Sequence, residues 1–449
     1  MQLKDTYVHE MKSLLGQAGF LAYQSALLQP AQRGLRYNLL AWPDGRPPLE
    51  DGLTGDPVPW AEGAFYVPEQ ARPGLSPLHE AGAFYLQEPS AMAPVSALSP
   101  LPGERVLDLC AAPGGKSTQI AGLMQGQGVL VCNEPVYSRA QILSRNLERM
   151  GVSNAVAVSA KPEQLAPRFE EFFDRILVDA PCSGEGMFRR HPEAMEEWDE
   201  QAPGRCAERQ SGILDSASKM LRPGGRLVYS TCTFSRAENE DVIRAFLARH
   251  PDFCAVSFTL PGLPDAPQDM LRLYPHEIRG EGHFVACLEK DGGASAPMPE
   301  IIRGKTAAAE LLPPVFARSC ALRGSLRRIG DALVSLPDID LGRLDGIRIL
   351  RAGLRVAQLR GNRAEPDHAL AMALRPEDAA LSAQLTPEQA LLYQAGETLD
   401  LGEVPAGYTL LCCRGKSLGW GKQAGGLMKN HYPKGLRRRQ DSLLSSVWE

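Results

Sequence analysis

The sequence predicts an α/β protein centred on a doubly wound parallel sheet, and three observations carry that expectation. Between residue 105 and about residue 290, short aliphatic runs alternate with amphipathic stretches of helical period. Several runs are apolar on both faces, as strands covered by helices on both sides must be. One run, LDLCAAPGGKSTQIA (107–121), passes through Gly114 and Gly115 directly into a helical pattern, the strand–turn–helix step of a ligand-binding α/β unit.

The elements follow in order. Residues 1–75 read as a helical start and a Pro-rich irregular region, expected to be a separate N-terminal module. The strands are expected at RVLDLCA (105–111), GVLVCNE (128–134), AVAVSA (155–160), FDRILVDAP (173–181), GRLVYSTCT (225–233) and HFVACLE (283–289). Each is short and aliphatic, and most are bounded by Gly or Pro. Helices are expected over 136–150, 207–221 and 237–249, which places the central domain at 76–290. DGGASAPMP marks a linker by composition, taken as 291–305. A small α/β subdomain (306–375) and a last domain (376–449) complete the chain. Within the latter, GYTLLCCRGKSLGWGKQ alternates like small-barrel strands.

Hydrophobic residues make up 44% and charged residues 22% of the 449 positions, which excludes wholesale disorder. No apolar run approaches bilayer-spanning length and the N-terminus lacks a signal-type core, so a cytoplasmic location without membrane contact is expected. The ten cysteines are scattered, with no paired CxxC at ligand spacing, so no metal is expected and most thiols read as reduced and buried. A net charge of −5 argues against a nucleic-acid partner. Locally the balance reverses: residues 414–439 hold eight Lys or Arg, no acid, and Trp420, His431 and Tyr432. Basic density with interleaved aromatics is the footprint of a phosphate-backbone site, although a solvated tail has the same composition.

Glycines at 114 and 115 let backbone approach a ligand closely. Gly115-Lys116-Ser117 echoes the end of a phosphate loop but lacks the earlier glycine. The next strand ends in Glu134, where an adenosine ribose places its hydroxyls, so the pair describes an adenosine-containing ligand.

Strand four ends in Asp179-Ala180-Pro181-Cys182 and strand five in Ser230-Thr231-Cys232. Both tips open onto the ligand crevice of such a sheet, so both thiols can face one substrate. One cysteine at a strand end is usually core; two beside an acid suggest nucleophilic chemistry. Cytosine carbon 5 needs such groups. A thiolate adding at carbon 6 makes carbon 5 nucleophilic, an acid stabilises the charge that develops, and a base then frees the thiolate. Residue types alone do not say which cysteine is the nucleophile.

CAAPGGKS, VDAPCSGEG and YSTCTF together resemble the signature of the Nol/Nop/Sun RNA cytosine-C5 methyltransferases. RGLRYN (33–38), HEAGAFYLQEPSAM (79–92), the ENED of residues 238–241 and RLYPHEIRGEGHFVA (272–286) extend the likeness. GWGK and HYPKGLRR are similar to the bacterial ribosomal RsmF-type branch, which carries a PUA-like RNA-binding end. The resemblance implies a Rossmann-like methyltransferase sheet with an N-terminal RNA-binding extension and a C-terminal PUA-like α+β/β-barrel region. It implies S-adenosylmethionine held by Cys110, Ala111, Ala112, Pro113, Gly114, Gly115 and Lys116, with Glu134 on the ribose, Arg139 nearby, and Asp179 between cofactor and base. Cys232 becomes the nucleophile and Cys182 the residue aiding proton removal or release. Small-subunit ribosomal RNA becomes the partner of a monomer, gripped by Arg33, Arg36, Lys429, Lys434, Arg437 and Arg438. A transfer RNA substrate, or a non-catalytic RNA-binding assembly factor, are the competing readings.

One departure stands out. Many relatives have an Asp after the third strand, where the adenine amine is read; here the residues are Ser159-Ala160-Lys161-Pro162, so backbone groups are expected to serve. The target cytosine must be unpaired or flipped, and Tyr85, Phe188 and Phe234 are candidates to stack on it, with core packing the equal alternative.

Overall fold

The computed structural model describes residues 3–43, 47–263, 269–292, 311–316, 322–361 and 363–437. The chain opens with α1 (Asp5–Leu27), broken at Gly16, whose φ of 69° is open to glycine. A three-stranded sheet follows, β1 (Gly34–Tyr37), β2 (Ala64–Tyr66), then α2 (Pro77–Glu80) and β3 (Phe84–Leu86), in the order β2-β1-β3. The expected boundary at residue 75 therefore falls inside this unit, because β3 pairs with β1.

The central domain runs α3 (Ala93–Leu98), β4 (Arg105–Asp108), α4 (Gly115–Leu123), β5 (Val129–Asn133), α5 (Tyr137–Arg149), β6 (Ala155–Ser159), α6 (Pro162–Leu165) and β7 (Phe173–Asp179). It continues through α7 (Pro192–Glu197), α8 (Ala202–Met220), β8 (Leu221–Thr231), α9 (Glu240–Arg249), β9 (Phe253–Ala255), β10 (Met270–Leu273) and β11 (His283–Lys290). Strands β8, β7, β4, β5 and β6 are parallel neighbours in that order. Alternation sorts their side chains: Val106 and Leu130 pack against α3, α4 and α5, while Leu107 and Val131 pack against α6, α8 and α9. All six expected strands are present. The sheet is nonetheless mixed, since β10 and β9 both pair with β11, which runs antiparallel to β8.

Beyond lie β12 (Ser325–Ile329), β13 (Ala332–Leu336), β14 (Arg348–Ala352), β15 (Leu354–Arg360), β16 (Arg363–Pro366) and α10 (His368–Ala373). The chain then forms β17 (Ser382–Leu385), α11 (Pro387–Ala395), β18 (Gly407–Cys413), β19 (Lys416–Ala424) and β20 (Leu427–Asn430). Strand β14 leaves its neighbours and pairs antiparallel with β6, extending the central sheet. Hairpin β18–β19 turns on Arg414 and Gly415, at φ 47° and 78°, the positive pair that a two-residue turn matching strand twist requires. The boundary expected at 375 separates two sheets but not two cores: Leu326, Leu333 and Leu354 pack with Leu410 and Trp420. The N-terminal sheet likewise shares a core with the last one, through Leu35, Phe84, Leu411 and Tyr432. Most of the expected linker lies outside the described residues.

Candidate active site

In a sheet of this winding the ligand crevice opens where strand order reverses, here between the tips of β4 and β7. Three strand tips form its floor, tied by Asn133. Its Nδ2 donates to the Leu109 carbonyl at 3.1 Å, its Oδ1 accepts the Ala160 N–H at 3.1 Å, and its own carbonyl accepts the Ala111 N–H at 2.8 Å.

The glycine loop leaves β4 through Cys110, Ala111, Ala112 and Pro113 and enters α4 at Gly114, whose φ of 114° disfavours any side chain. A Cβ on Gly115 would stand 3.2 Å from Tyr85 Cε1, so N-terminal residues buttress the loop directly. Beneath it, Asp108 accepts the Ser117 hydroxyl at 2.6 Å, and burial pushes its carboxyl up to about 7. Burial likewise raises the Cys110 thiol far above its ordinary range. Glu134 caps the Val136 N–H at 3.0 Å and lies 3.3 Å from Arg139, which also donates to the Ala112 carbonyl at 3.0 Å. Arg139 thus bridges the acid at the β5 tip and the glycine loop. Glycine at 114 and the acid at 134 fit a ligand bearing a ribose. Two backbone N–H groups at the β6 tip are already used, that of Ala160 by Asn133 Oδ1 at 3.1 Å and that of Lys161 by Gln164 Oε1 at 2.9 Å.

Asp179 ends β7 amid three donors. Lys116 Nζ is 2.8 Å from its Oδ2, Ser230 Oγ donates to Oδ1 at 2.8 Å, and His283 Nε2 stands 3.5 Å from Oδ1. Burial opposes ionisation, yet Lys116 and His283 outweigh it and hold the carboxyl well below the ordinary carboxylate range. Burial also works against the Lys116 ammonium, which Asp179 overrides, so both partners are charged. Lys116 therefore reaches out of the glycine loop toward the acid.

Both thiols meet at this acid's edge of the crevice, with Cys182 Sγ 3.3 Å from Cys232 Sγ. The contact with Cys232, and then burial, keep the Cys182 proton bound well above the ordinary thiol range. The sequence left Ser230 and His283 without roles. Their signal is register, since Ser230 pairs with Asp179 on one side and Val285 on the other.

Other expectations are corrected. Phe188 and Phe234 are each 1% exposed, packed with Tyr7, Tyr23, Trp198 and Tyr274 beneath α1, and cannot stack on a base. Tyr85 is buried under Arg149. Arg36 is 1% exposed, its guanidinium donating to Gln87, the Gly115 carbonyl at 3.0 Å and Thr118 at 2.9 Å. It braces the glycine loop and is withdrawn from the surface. Arg33 spends its guanidinium on the carbonyls of Pro68, Glu69 and Ala71. Trp420 and Tyr432 are core, Trp420 donating to the Asp367 carbonyl at 2.8 Å. Lys429 is exposed on β20, the last sheet's edge strand, Lys434 is exposed on the 3-10 turn that follows it (Lys434–Leu436), and Arg437 packs against Gly396 at the end of α11. Arg438 lies outside the described residues. Among the described residues no group of three potential ligands gathers for a metal, and no helix is long and apolar enough to cross a membrane.

The crevice and sheet define a methyltransferase, and comparison with known proteins agrees. The family described as 16S rRNA methyltransferase RsmB/F matches residues 95–289. Descriptions of the RsmF N-terminal domain, first C-terminal domain and PUA domain match 3–89, 309–374 and 380–438. Ribosomal RNA small subunit methyltransferase F of Cronobacter sakazakii is 34% identical over 94% of this chain and 93% of its own. The protein of that name from Shewanella piezotolerans is 31% identical over 95% of each. A solved methyltransferase homologue from Pyrococcus horikoshii is 31% identical over 61% of this chain and 91% of its own, with a TM-score of 0.52. NSun6 of the same organism, 21% identical with a TM-score of 0.54, covers 65% of this chain and 99% of its own and shares the fold. The chain belongs to the ribosomal RNA small subunit methyltransferase F family.

Proposed function

We propose that the protein transfers a methyl group from S-adenosylmethionine to carbon 5 of cytosine in small-subunit ribosomal RNA, in the cytoplasm, through a bond between Cys232 and carbon 6. One observation carries this reading: two thiols 3.3 Å apart beside an ionised Asp179–Lys116 pair at the sheet's crevice. The names of the full-length relatives support the RNA class. When bound, the cofactor supplies an electrophilic methyl; the residues that would hold it are Gly114, Gly115, Glu134 and Arg139.

The remaining chemistry belongs to the protein. Cys232, as thiolate, adds to carbon 6 and pushes electron density to carbon 5. Asp179, ionised, accepts a hydrogen bond from the exocyclic amine, and the Lys116 ammonium offsets the negative charge developing on the ring. After carbon 5 is methylated its proton leaves to a base and the sulfur–carbon bond breaks, returning the Cys232 thiolate. Cys182, 3.3 Å from Cys232 Sγ, is the residue assigned to that release; its raised proton affinity makes it a thiol at rest, so it accepts the carbon-5 proton only after giving up its own. Lys429 and Lys434 contribute phosphate contacts from the last domain.

The test pairs two substitutions. Cys232→Ala is expected to abolish methyl transfer, and Cys182→Ala to accumulate a covalent protein–RNA complex. Full activity in Cys232→Ala defeats the mechanism. Mass-spectrometric mapping of 5-methylcytosine in ribosomal and transfer RNA, with and without the protein, fixes the substrate; a site confined to transfer RNA overturns the ribosomal assignment.

A further inference from the structure

Two buried carboxylates lie beneath the thiols, and the chemistry above uses neither. Glu185 follows Cys182 on its loop and is 2% exposed; Glu238, in the ENED segment after Cys232, is fully buried. Glu185 Oε2 accepts the Phe234 N–H at 3.0 Å, and Oε1 accepts Trp198 Nε1 at 3.2 Å. Glu238 Oε2 accepts the Ser183 N–H at 3.0 Å and Gln210 Nε2 at 2.9 Å, while Oε1 accepts the Ser183 hydroxyl. Each cysteine loop therefore lends a carboxylate to a backbone amide of the other. A direct bond from Gly186 N–H to the Cys232 carbonyl, 2.8 Å, closes the exchange.

The arrangement is costly. Among the described residues neither carboxylate is ion-paired, and burial raises both, Glu185 to about 7. Buried charge without a counter-ion opposes folding unless several donors compensate. Apolar side chains would join two loops at lower cost, whereas hydrogen bonds to backbone amides fix the direction of each loop to fractions of an ångström. The loops are also held unequally. Asn239 Nδ2 donates to the Thr233 carbonyl at 3.0 Å and Asn239 Oδ1 accepts Thr231 Oγ1 at 2.6 Å. The Cys232 segment thus keeps its own brace when Glu238 is removed, while the Cys182 segment loses the bond to the Ser183 N–H and is left with side-chain ties, Ser183 Oγ to Thr233 Oγ1 at 2.8 Å and Gln210 Nε2 to the Pro181 carbonyl at 3.0 Å.

We infer that Glu185 and Glu238 are positioning residues for the two thiols, Glu185 aligning Cys232 for attack and Glu238 aligning Cys182 for release. This rests on the covalent mechanism proposed above. The reciprocal clasp separates the two steps: loosening one carboxylate misplaces one sulfur and leaves the other seated.

The experiment uses full-length protein, S-adenosylmethionine and small-subunit ribosomal RNA from a strain lacking the gene. Denaturing gels follow covalent complex and methyl incorporation through one turnover, with melting curves confirming that each variant folds. Glu238→Gln is expected to form adduct within about twofold of the wild-type rate but to retain it at least about fivefold longer, the scale of a small misplacement. Ser183→Ala, which leaves both carboxylates intact, is expected to act in the same direction. Glu185→Gln is expected to slow adduct formation about tenfold without accumulation. A folded Glu238→Gln and Ser183→Ala that release RNA at the wild-type rate, or a Glu185→Gln and Glu238→Gln that slow both steps equally, overturn the clasp. Cys182→Ala runs alongside: adduct there with no effect of Glu238→Gln sinks the clasp alone, and no adduct in any variant sinks the covalent mechanism and the clasp together.

Discussion

Lys116 Nζ lies 2.8 Å from Asp179 Oδ2, joining the glycine loop to the tip of β7. The pair sets a charged acid beside the thiols. Replacing Lys116 with Met removes the ammonium that offsets developing ring charge, so methyl transfer is expected to fall about 10²–10³-fold. Affinity for S-adenosylhomocysteine should change far less, because the proposed grip on the cofactor is that of the glycines and Glu134. Single-turnover rates and titration calorimetry check this together; equal losses in both would reassign Lys116 to cofactor binding.

Asp108 gives a signed pH prediction. Its carboxyl is raised to about 7 by burial, above an unfolded value near 3.9. A raised carboxyl contributes stability that is complete below the unfolded value and is lost as pH rises through the folded one. The Asp108 contribution should therefore decline between pH 4 and 7, opposed over the same range by His368, whose imidazole burial pushes down to about 4. Asp108→Asn should flatten that decline, with Glu185 still contributing in the same sense. Urea midpoints at pH 5 and pH 8 decide it; an unchanged or steeper decline in the variant refutes the assignment.

Two kinds of basic residue should separate cleanly. Arg36→Gln removes the buried guanidinium that donates to Gln87, the Gly115 carbonyl and Thr118 and is expected to lower unfolding free energy by about 1–3 kcal/mol, with no change in the salt dependence of RNA binding. Lys429→Ala with Lys434→Ala should leave the melting temperature intact and flatten the salt slope by about 0.7–0.9 for each phosphate no longer neutralised. Filter binding across a salt series measures both, and a flattened slope in Arg36→Gln would return that residue to the RNA surface.

Gly186 has no room for a side chain. A Cβ there would meet the Cys232 carbonyl oxygen at 2.9 Å and the Gly282 carbonyl oxygen at 3.1 Å, both backbone atoms. Gly186→Ala should push the cysteine loops apart, abolishing transfer while cofactor affinity stays within about threefold, a difference below 1 kcal/mol. Wild-type turnover in that variant would show that the loops tolerate separation.

The central strands were legible because burial on both faces leaves continuous aliphatic runs such as AVAVS in β6, all buried but the last residue. The thiols and Asp179 were legible for a related reason, since strand tips in this winding converge wherever the intervening helices lie. Strand β14 was not legible. RILRA buries only one of its five residues, and its partner is remote in sequence. Arg36 and Phe188 misled for one physical reason: composition does not distinguish an arginine facing phosphate from one facing carbonyls, or an aromatic facing a base from one facing another ring. The clasp was hidden too, because Glu185 and Glu238 acquire partners only once two loops from different strands are folded together.

Strand β14 carries a consequence for how the molecule can be divided. Cutting the chain after β11 would strip β6 of its outer neighbour and bare a row of amide and carbonyl groups on an apolar strand, the kind of edge that recruits other chains. The catalytic portion is therefore expected to be a poor candidate for life as a free-standing fragment. Its downstream partner acts as a selvedge, finishing a fabric that would otherwise fray into aggregates.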